Sequence, residues 1–223
     1  MLSIVIPTYN SAAGLEKTLQ RLVPPPYARE IIVVDGGSCD ETFEIARRYA
    51  DQVASCPKGR GTQLRFGAAQ ASGDWMLFLH SDTVLQAGWG ADVCAFIAQC
   101  NANHRAGYFS FALDDDTIWA RRLEKIVAWR SRVLGLPYGD QGLLISRDHY
   151  DRIGGFRDIP LMEDVDLARR IGKKNLYPLS SVAITSAAKY QQNGYGRRVL
   201  RNAACLSLYF LGLSPHTIVK LYE

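Results

Sequence analysis

Ser3-Ile4-Val5-Ile6-Pro7-Thr8-Tyr9-Asn10 and Ile31-Ile32-Val33-Val34-Asp35-Gly36-Gly37-Ser38-Cys39-Asp40-Glu41-Thr42 decide the fold. Each is a short β-branched run that stops at polar, turn-forming residues. Between them, Ser11 to Leu22 has helical spacing and is closed by Pro24-Pro25-Pro26. The pattern predicts strand, helix, strand. Ser38, with Glu41 three residues on, fits a capping box that opens a helix through about Tyr49. Gln52 to Ser55 then reads as a third strand and Gln63 to Ala71 as a third helix. Trp75-Met76-Leu77-Phe78-Leu79 reads as a fourth strand, apolar on both faces as a central parallel strand must be. The alternation predicts an α/β chain with a Rossmann-like, mostly parallel central sheet flanked by helices. Its ligands belong beyond the carboxyl ends of the strands.

After Leu79 the rhythm loosens. The chain predicts a helix over Ala91 to Cys100, a strand around Gly107 to Leu113 and an amphipathic helix over Ile118 to Leu134. A turn-rich loop, Gly135 to Gly142, leads to a strand, Leu143 to Ser146, and a short helix, Asp148 to Ile153. The Gly154-Gly155 break precedes a helix from about Glu163 to Ile171. From Gly194, three arginines (Arg197, Arg198, Arg201) precede an apolar band, Leu206 to Leu213. Residues 1–193 therefore read as the main domain and 194–223 as a C-terminal amphipathic helical tail. That tail is expected either to lie on an anionic membrane surface or to pack on the domain or on a second copy in a homodimer.

With 223 residues, 48% hydrophobic and 22% charged, the composition excludes a disordered chain. Five cysteines without a CxxC pair exclude a disulfide scaffold and a zinc ribbon. The N-terminus lacks a basic region ahead of its short apolar run, so a cytoplasmic location is expected, with peripheral contact to the inner membrane face left open. No nucleic-acid partner is expected. Charge is uneven: 9 Lys/Arg against 13 Asp/Glu in residues 1–120, and 17 against 9 in residues 121–223. An acidic half suits metal and ligand carboxylates, and a basic half suits an anionic acceptor or membrane.

Several polar groups sit at predicted strand tips. Asp35, followed by two glycines, either hydrogen-bonds a base or ribose or simply opens the turn before the next helix. His80 and Asp82, two apart after the fourth strand, share one side of an extended segment and either hold a divalent cation against a diphosphate or form a turn-capping Asp beside a packed His. Glu163-Asp164-Val165-Asp166 places three carboxylates in one first helical turn, where the macrodipole favours them. One of them could equally act as a general base. Lys58-Gly59-Arg60-Gly61 reads as a flexible cationic loop without a Walker pattern.

Taken in order, SIVIPTYN, IIVVDGGSCDET, GDWMLFLHSDT, YGDQGLLISRDHYDRIGGF and MEDVDLARRI resemble the family 2 glycosyltransferases of GT-A fold over about residues 2–175. The His80-x-Asp82 form and Gly139-Asp140-Gln141-Gly142 resemble the bacterial subgroup of radical-SAM/selenodomain-associated transferases. The resemblance implies a nucleotide-binding pocket of Pro7, Thr8, Tyr9, Asp35, Arg60 and Ser81, and Mg²⁺ or Mn²⁺ on Asp82 with His80 in place of the usual first Asp. It further implies Asp164 as base beside Glu163, and Asp140 and Gln141 on the acceptor side. By this resemblance the chain is an inverting transferase that moves a sugar from a nucleotide-diphosphate sugar to a hydroxyl acceptor, in many relatives a lipid-linked one. A sugar nucleotidyltransferase is the alternative enzyme, but Pro7 to Gly14 lacks the glycine-rich basic loop it needs. A non-catalytic nucleotide-sugar-binding module is the third reading, motivated by the altered DxD. Two departures from the subgroup are Arg65, where Asn is usual, and Ala188-Lys189-Tyr190, where an Arg-Arg-Trp-like stretch is usual.

Overall fold

The computed structural model describes residues 1–22, 29–99 and 102–222; Pro24-Pro25-Pro26 and Cys100 lie outside the described residues. The strands are β1 (Leu2–Thr8), β2 (Arg29–Asp35), β3 (Gln52–Ser55), β4 (Trp75–Phe78), β5 (Thr83–Leu85), β6 (Ala106–Leu113), β7 (Leu143–Ser146) and β8 (Leu176–Thr185). The helices are α1 (Ala12–Arg21), α2 (Thr42–Tyr49), α3 (Arg60–Gln70), α4 (Trp89–Ile97), α5 (Ile118–Trp129), α6 (Arg147–Arg152), α7 (Glu163–Ile171), α8 (Ala188–Asn193), α9 (Tyr195–Phe210) and α10 (Pro215–Tyr222).

The strands form one sheet in the order β3-β2-β1-β4-β7-β6-β8-β5. The first four are mutually parallel, as the βα alternation requires. β7 runs against both β4 and β6, β6 and β8 are parallel, and β5 runs against β8. Register then decides where the chemistry can be. Thr8 faces Asp35, Leu143 faces Phe78, and Thr185 faces both Leu113 and Thr83. The carboxyl ends of β1, β2, β4, β6 and β8 thus open on one edge, together with the starts of β5 and β7.

Side chains alternate across the sheet. Ile4, Ile6, Ile31, Val33 and Leu77 face α1, α2 and α4 through Leu15, Leu19, Ile45 and Val93. Val5, Ile32, Val34, Met76 and Ile145 face α3 and α7 through Leu64, Ala68, Leu167 and Ile171. On that second face α3 lies unusually close. A Cβ at Gly67 would run into Val5 Cγ1 and come within 3.0 Å of Val34 Cγ2.

Four expectations need correction. Ser38 caps no helix: α2 starts at Thr42, whose amide N–H donates to Asp40 Oδ1 (3.1 Å), and the Ser38 hydroxyl donates to Asp35 instead. The Lys58–Gly61 segment is no free loop, because Arg60 is the first residue of α3. His80 and Asp82 are not on an extended segment; a turn closed by Thr83 N–H to His80 O (3.3 Å) carries them. The helix expected over 118–134 is α5 followed by a π-helical turn over Arg130–Leu134, stopped by Gly135 at φ 65°.

The tail packs inward. Cys205, Leu206, Leu208 and Tyr209 of α9 and Ile218 of α10 close over Leu136, Met162 and Val165. Among the described residues no helix is long and apolar enough to cross a membrane. Ile218 is fully buried, so Ile218→Ala should lower global stability by about 2–4 kcal/mol, read from urea unfolding. Leu200→Ala, at a position 72% exposed, is the control. An unchanged midpoint for Ile218→Ala would mean that α10 is a detached appendage.

Candidate active site

The ends of β1 and β2 are tied from below. Asp35 is buried, and both of its oxygens are engaged: Oδ2 accepts from the Gly37 and Ser38 amides (2.9 and 2.8 Å), and Oδ1 from the Ser38 and Thr8 hydroxyls (2.5 and 3.1 Å). This is the turn-opening role that the sequence left open for it. Gln63, which the sequence did not single out, donates through Nε2 to Thr8 O and Val34 O (2.7 and 2.8 Å) and pins the two strand tips together. Above them runs a groove of about 500 Å³ bordered by Pro7, Thr8, Tyr9, Arg60, Ser81 and Asp82. Tyr9 is exposed, with the Lys58 ammonium 4.0 Å from its ring centroid.

A second cleft, of about 800 Å³, continues from the groove and shares Arg60, His80, Asp82 and Lys189 with it. Its further walls include Tyr138, Asp140, Asp164, Arg198 and Asn202. Asp164 stands in the first turn of α7, with Oδ2 accepting from the Gly139 amide (3.0 Å) and Oδ1 from the Val165 amide (2.7 Å). α7 begins abruptly after Met162 at φ 67°, a left-handed conformation that turns the chain sharply into the helix. Gly139 has no side chain because the His80 imidazole occupies that space.

Charges in the cleft are set by burial. An apolar pocket lined by Leu64, Phe78, Phe156 and Ala168 reaches the Glu163 carboxylate, which is buried and ion-paired to Arg60 Nε. Burial raises the Glu163 pKa and the Arg60 cation opposes the rise. Burial, aided by the Arg60 cation, depresses His80 to about 4, so its ring is neutral at pH 7. Burial pushes Asp140 up to about 6, with Arg130 opposing and Asp164 adding to the rise. Asp140 Oδ1 is a buried oxygen without a hydrogen-bond partner. Asp82 meets Lys189 Nζ at 3.5 Å.

Of the residues expected on the acceptor side, Asp140 borders the cleft and Gln141 does not. Gln141 turns inward, donating to Phe109 O (3.1 Å) and accepting from the Ser131 hydroxyl (2.8 Å), so it braces the loop. Lys189, Arg198 and Asn202 were missed as site residues. The sequence signals were the Ala188-Lys189-Tyr190 stretch and the basic cluster ahead of the tail, and which way each points depends on how α8 and α9 dock.

The model of the family described as "Glycosyl transferase family 2" matches residues 3–157. The chain belongs to this family. Among curated family 2 relatives, the "PGL/p-HBAD biosynthesis glycosyltransferase" of Mycobacterium bovis is 36% identical over 108 residues, covering 44% of this chain and 42% of that protein. The chain thus spans less than half the length of that relative. Among solved structures, residues 1–349 of Staphylococcus aureus TarS superpose with a TM-score of 0.63 at 18% identity, covering 99% of this chain and 68% of that one. The mannosyltransferase PcManGT of Pyrobaculum calidifontis, solved with GDP-Man and Mn²⁺, gives a TM-score of 0.67 at 20% identity over 92% of this chain and 60% of that one. These likenesses show that the mixed α/β sheet with its flanking helices is the GT-A fold.

Two predictions follow from the electrostatics of the cleft. Arg60→Ala strands the Glu163 carboxylate; with Arg60 itself 38% exposed, the loss should be about 2 kcal/mol, the low side of what removing one partner of a buried pair costs. Glu163→Gln should cost less. An Arg60→Ala midpoint equal to wild type would show that the pair is not holding α3 to α7.

The second concerns pH. Folded Asp140 keeps its proton to about pH 6, against 3.8 for an ordinary aspartate, so its contribution to stability falls as pH rises from about 4 to 6. His80 titrates near 4 folded against 6.5 ordinarily, so its contribution is complete above 6.5 and is lost as pH falls toward 4. The two oppose each other. Asp140→Asn should therefore make stability climb more steeply between about pH 4 and 6.5 than in wild type, as read from denaturant midpoints. Equal slopes would mean that Asp140 ionises normally.

Proposed function

We propose that this chain transfers a sugar from a nucleotide-diphosphate sugar to a hydroxyl acceptor, inverting the anomeric carbon. The observation that carries the reading is the continuity of the two cavities: a groove at the β1 tip opens, past Arg60, His80, Asp82 and Lys189, into a cleft on which Asp164 stands. The nucleotide fits the groove, with Tyr9 as a shelf for the base, and the diphosphate falls at the cation-lined junction. Relatives support this donor class: TarS is solved with UDP-GlcNAc and PcManGT with GDP-Man. The His80-x-Asp82 and Gly139–Gly142 segments carry the finer likeness to the radical-SAM/selenodomain-associated subgroup.

In this mechanism Asp164 accepts the proton of the acceptor hydroxyl. The freed oxygen attacks the anomeric carbon from the side opposite the diphosphate, and the bond from that carbon to the β-phosphate oxygen breaks with its electron pair on the diphosphate. Arg60 and Lys189, bordering both cavities, stabilise the charge that gathers there. The Gly139 and Val165 amides hold Asp164 on the acceptor side.

The residues also fit a divalent ion. Among the described residues no group of three or more His, Cys, Asp or Glu is arranged to hold one by itself. A cation that binds one or two protein ligands and completes its shell with substrate phosphates needs only Asp82 and the neutral His80 imidazole. Mg²⁺ or Mn²⁺ there would supply neutralisation of the departing diphosphate.

Asp164→Asn should reduce sugar transfer by roughly a hundredfold or more while leaving UDP or GDP affinity unchanged, because a general base is needed only in the transition state. A matching fall in nucleotide affinity would place Asp164 in the donor site. Asp82→Ala should remove the Mn²⁺-dependent part of nucleotide binding, measured by calorimetry with and without chelator. Unchanged affinity in Mn²⁺ would overturn the metal assignment.

A further inference from the structure

The cleft has a wall that the transfer mechanism leaves unused. α9 turns Arg198 and Asn202, one helical turn apart and so on one face, toward the cavity that Asp140 and Asp164 border. Neither residue borders the nucleotide groove. The Arg198 guanidinium lies 4.9 Å from the centroid of Tyr190, which is itself stacked on Tyr195 at 5.3 Å and 22°. A guanidinium held over an aromatic ring is attracted by the ring and keeps its N–H donors for other partners.

Other arginines near the site have their edges engaged. Arg60 is paired with Glu163, Arg130 Nε donates to Leu136 O (3.0 Å), and Arg170 grips Asp166 (2.6 Å). Arg198 meets no carboxylate among the described residues. Its Nε is buried without a partner, and so is Oδ1 of Asn202. Leaving a buried polar group unsatisfied is costly. Both residues line one cavity from adjoining turns of one helix, and side chains whose polar groups are left incompletely satisfied there fit a ligand that brings an anion to the guanidinium and a hydroxyl to the carboxamide.

Charge points the same way. An acceptor entering beside Asp140 and Asp164 and carrying a negative group would be repelled unless a cation stood on that side, and Arg198 stands there. We propose that α9 forms the acceptor subsite and that the acceptor is a hydroxylated compound bearing a phosphate or carboxylate. Arg198 holds the anionic group and Asn202 a neighbouring hydroxyl. This rests on the reading of the cleft as a glycosyl-transfer site, which the nucleotide arm of the test checks separately.

The full chain, saturated with UDP and Mn²⁺ to fill the donor end, is titrated calorimetrically with glycerol 3-phosphate, glycerate and glycerol. One or both charged probes should bind roughly tenfold or more tighter than glycerol, and which of them does so distinguishes phosphate from carboxylate. Arg198→Ala should erase that preference and leave UDP affinity unchanged. Arg198→Gln, which keeps a side chain over Tyr190, guards against a folding defect and should erase the preference too, while Arg198→Lys should keep part of it. Asn202→Ala should weaken all three probes. Equal or absent binding of the three probes by the wild-type chain would overturn the proposal. So would a preference that survives Arg198→Ala and Arg198→Gln, or a loss of UDP affinity equal to the loss of glycerol 3-phosphate affinity. Failure of UDP and GDP to bind at all, with the charged-probe preference intact, would count against the transfer reading and not against the anion subsite.

Discussion

The ion pair between Arg60 and Glu163 is the constraint on which the site depends. Glu163 has almost no solvent of its own, so its carboxylate is tolerable as an anion only because the guanidinium meets it. Arg60 opens α3, the helix that lies on β1 and β2, and Glu163 opens α7, the helix that carries Asp164. One interaction therefore fixes the β1–β2 half of the molecule to the half that carries Asp164. Its surroundings leave no slack. A Cβ at Gly61 would sit 2.6 Å from Arg157 O, 3.1 Å from Ile159 O and 3.3 Å from Glu163 Cβ, so the start of α3 lies directly against the backbone that leads into α7.

Two groups beside that pair are driven away from charge by the same burial. His80 loses its proton more easily than a free histidine and Asp140 holds its proton more firmly than a free aspartate. Below about pH 6 a proton on Asp140 lightens the negative charge that Asp82, Asp140 and Asp164 crowd together, whereas the neutral His80 ring adds no positive charge to offset it. The imidazole stays available as a neutral donor atom or acceptor.

Much of this architecture was legible in the residues. The β1–β4 alternation and the short elements β7 and α7 follow from runs of β-branched residues and from capping chemistry that speak locally. β8 was not legible, because Pro178 and two serines interrupt its apolar pattern, and the register shift opposite Tyr108 and Ser110 accommodates them. The start of α3 was hidden by glycines that read as loop yet are required by close packing. Within the site, the motif residues His80, Asp82 and Asp164 do gather. Asp35 and Gln141 are held by partners across the fold, and burial and partners of that kind are what a sequence does not display. Arg198 and Asn202 were invisible for a related reason: only the docking of α9 reveals which side of that helix meets the cleft.

Gly67 touches neither cavity, yet it governs one. With Val5 and Val34 filling the space where its side chain would be, α3 has a single rotational setting on the sheet, and that setting aims Arg60 from two turns away. Any side chain at position 67 would roll the helix and swing Arg60 off Glu163. A saturation scan scored by turnover alone would then rank Gly67 beside the residues that line the cleft, although Gly67 only sets an angle.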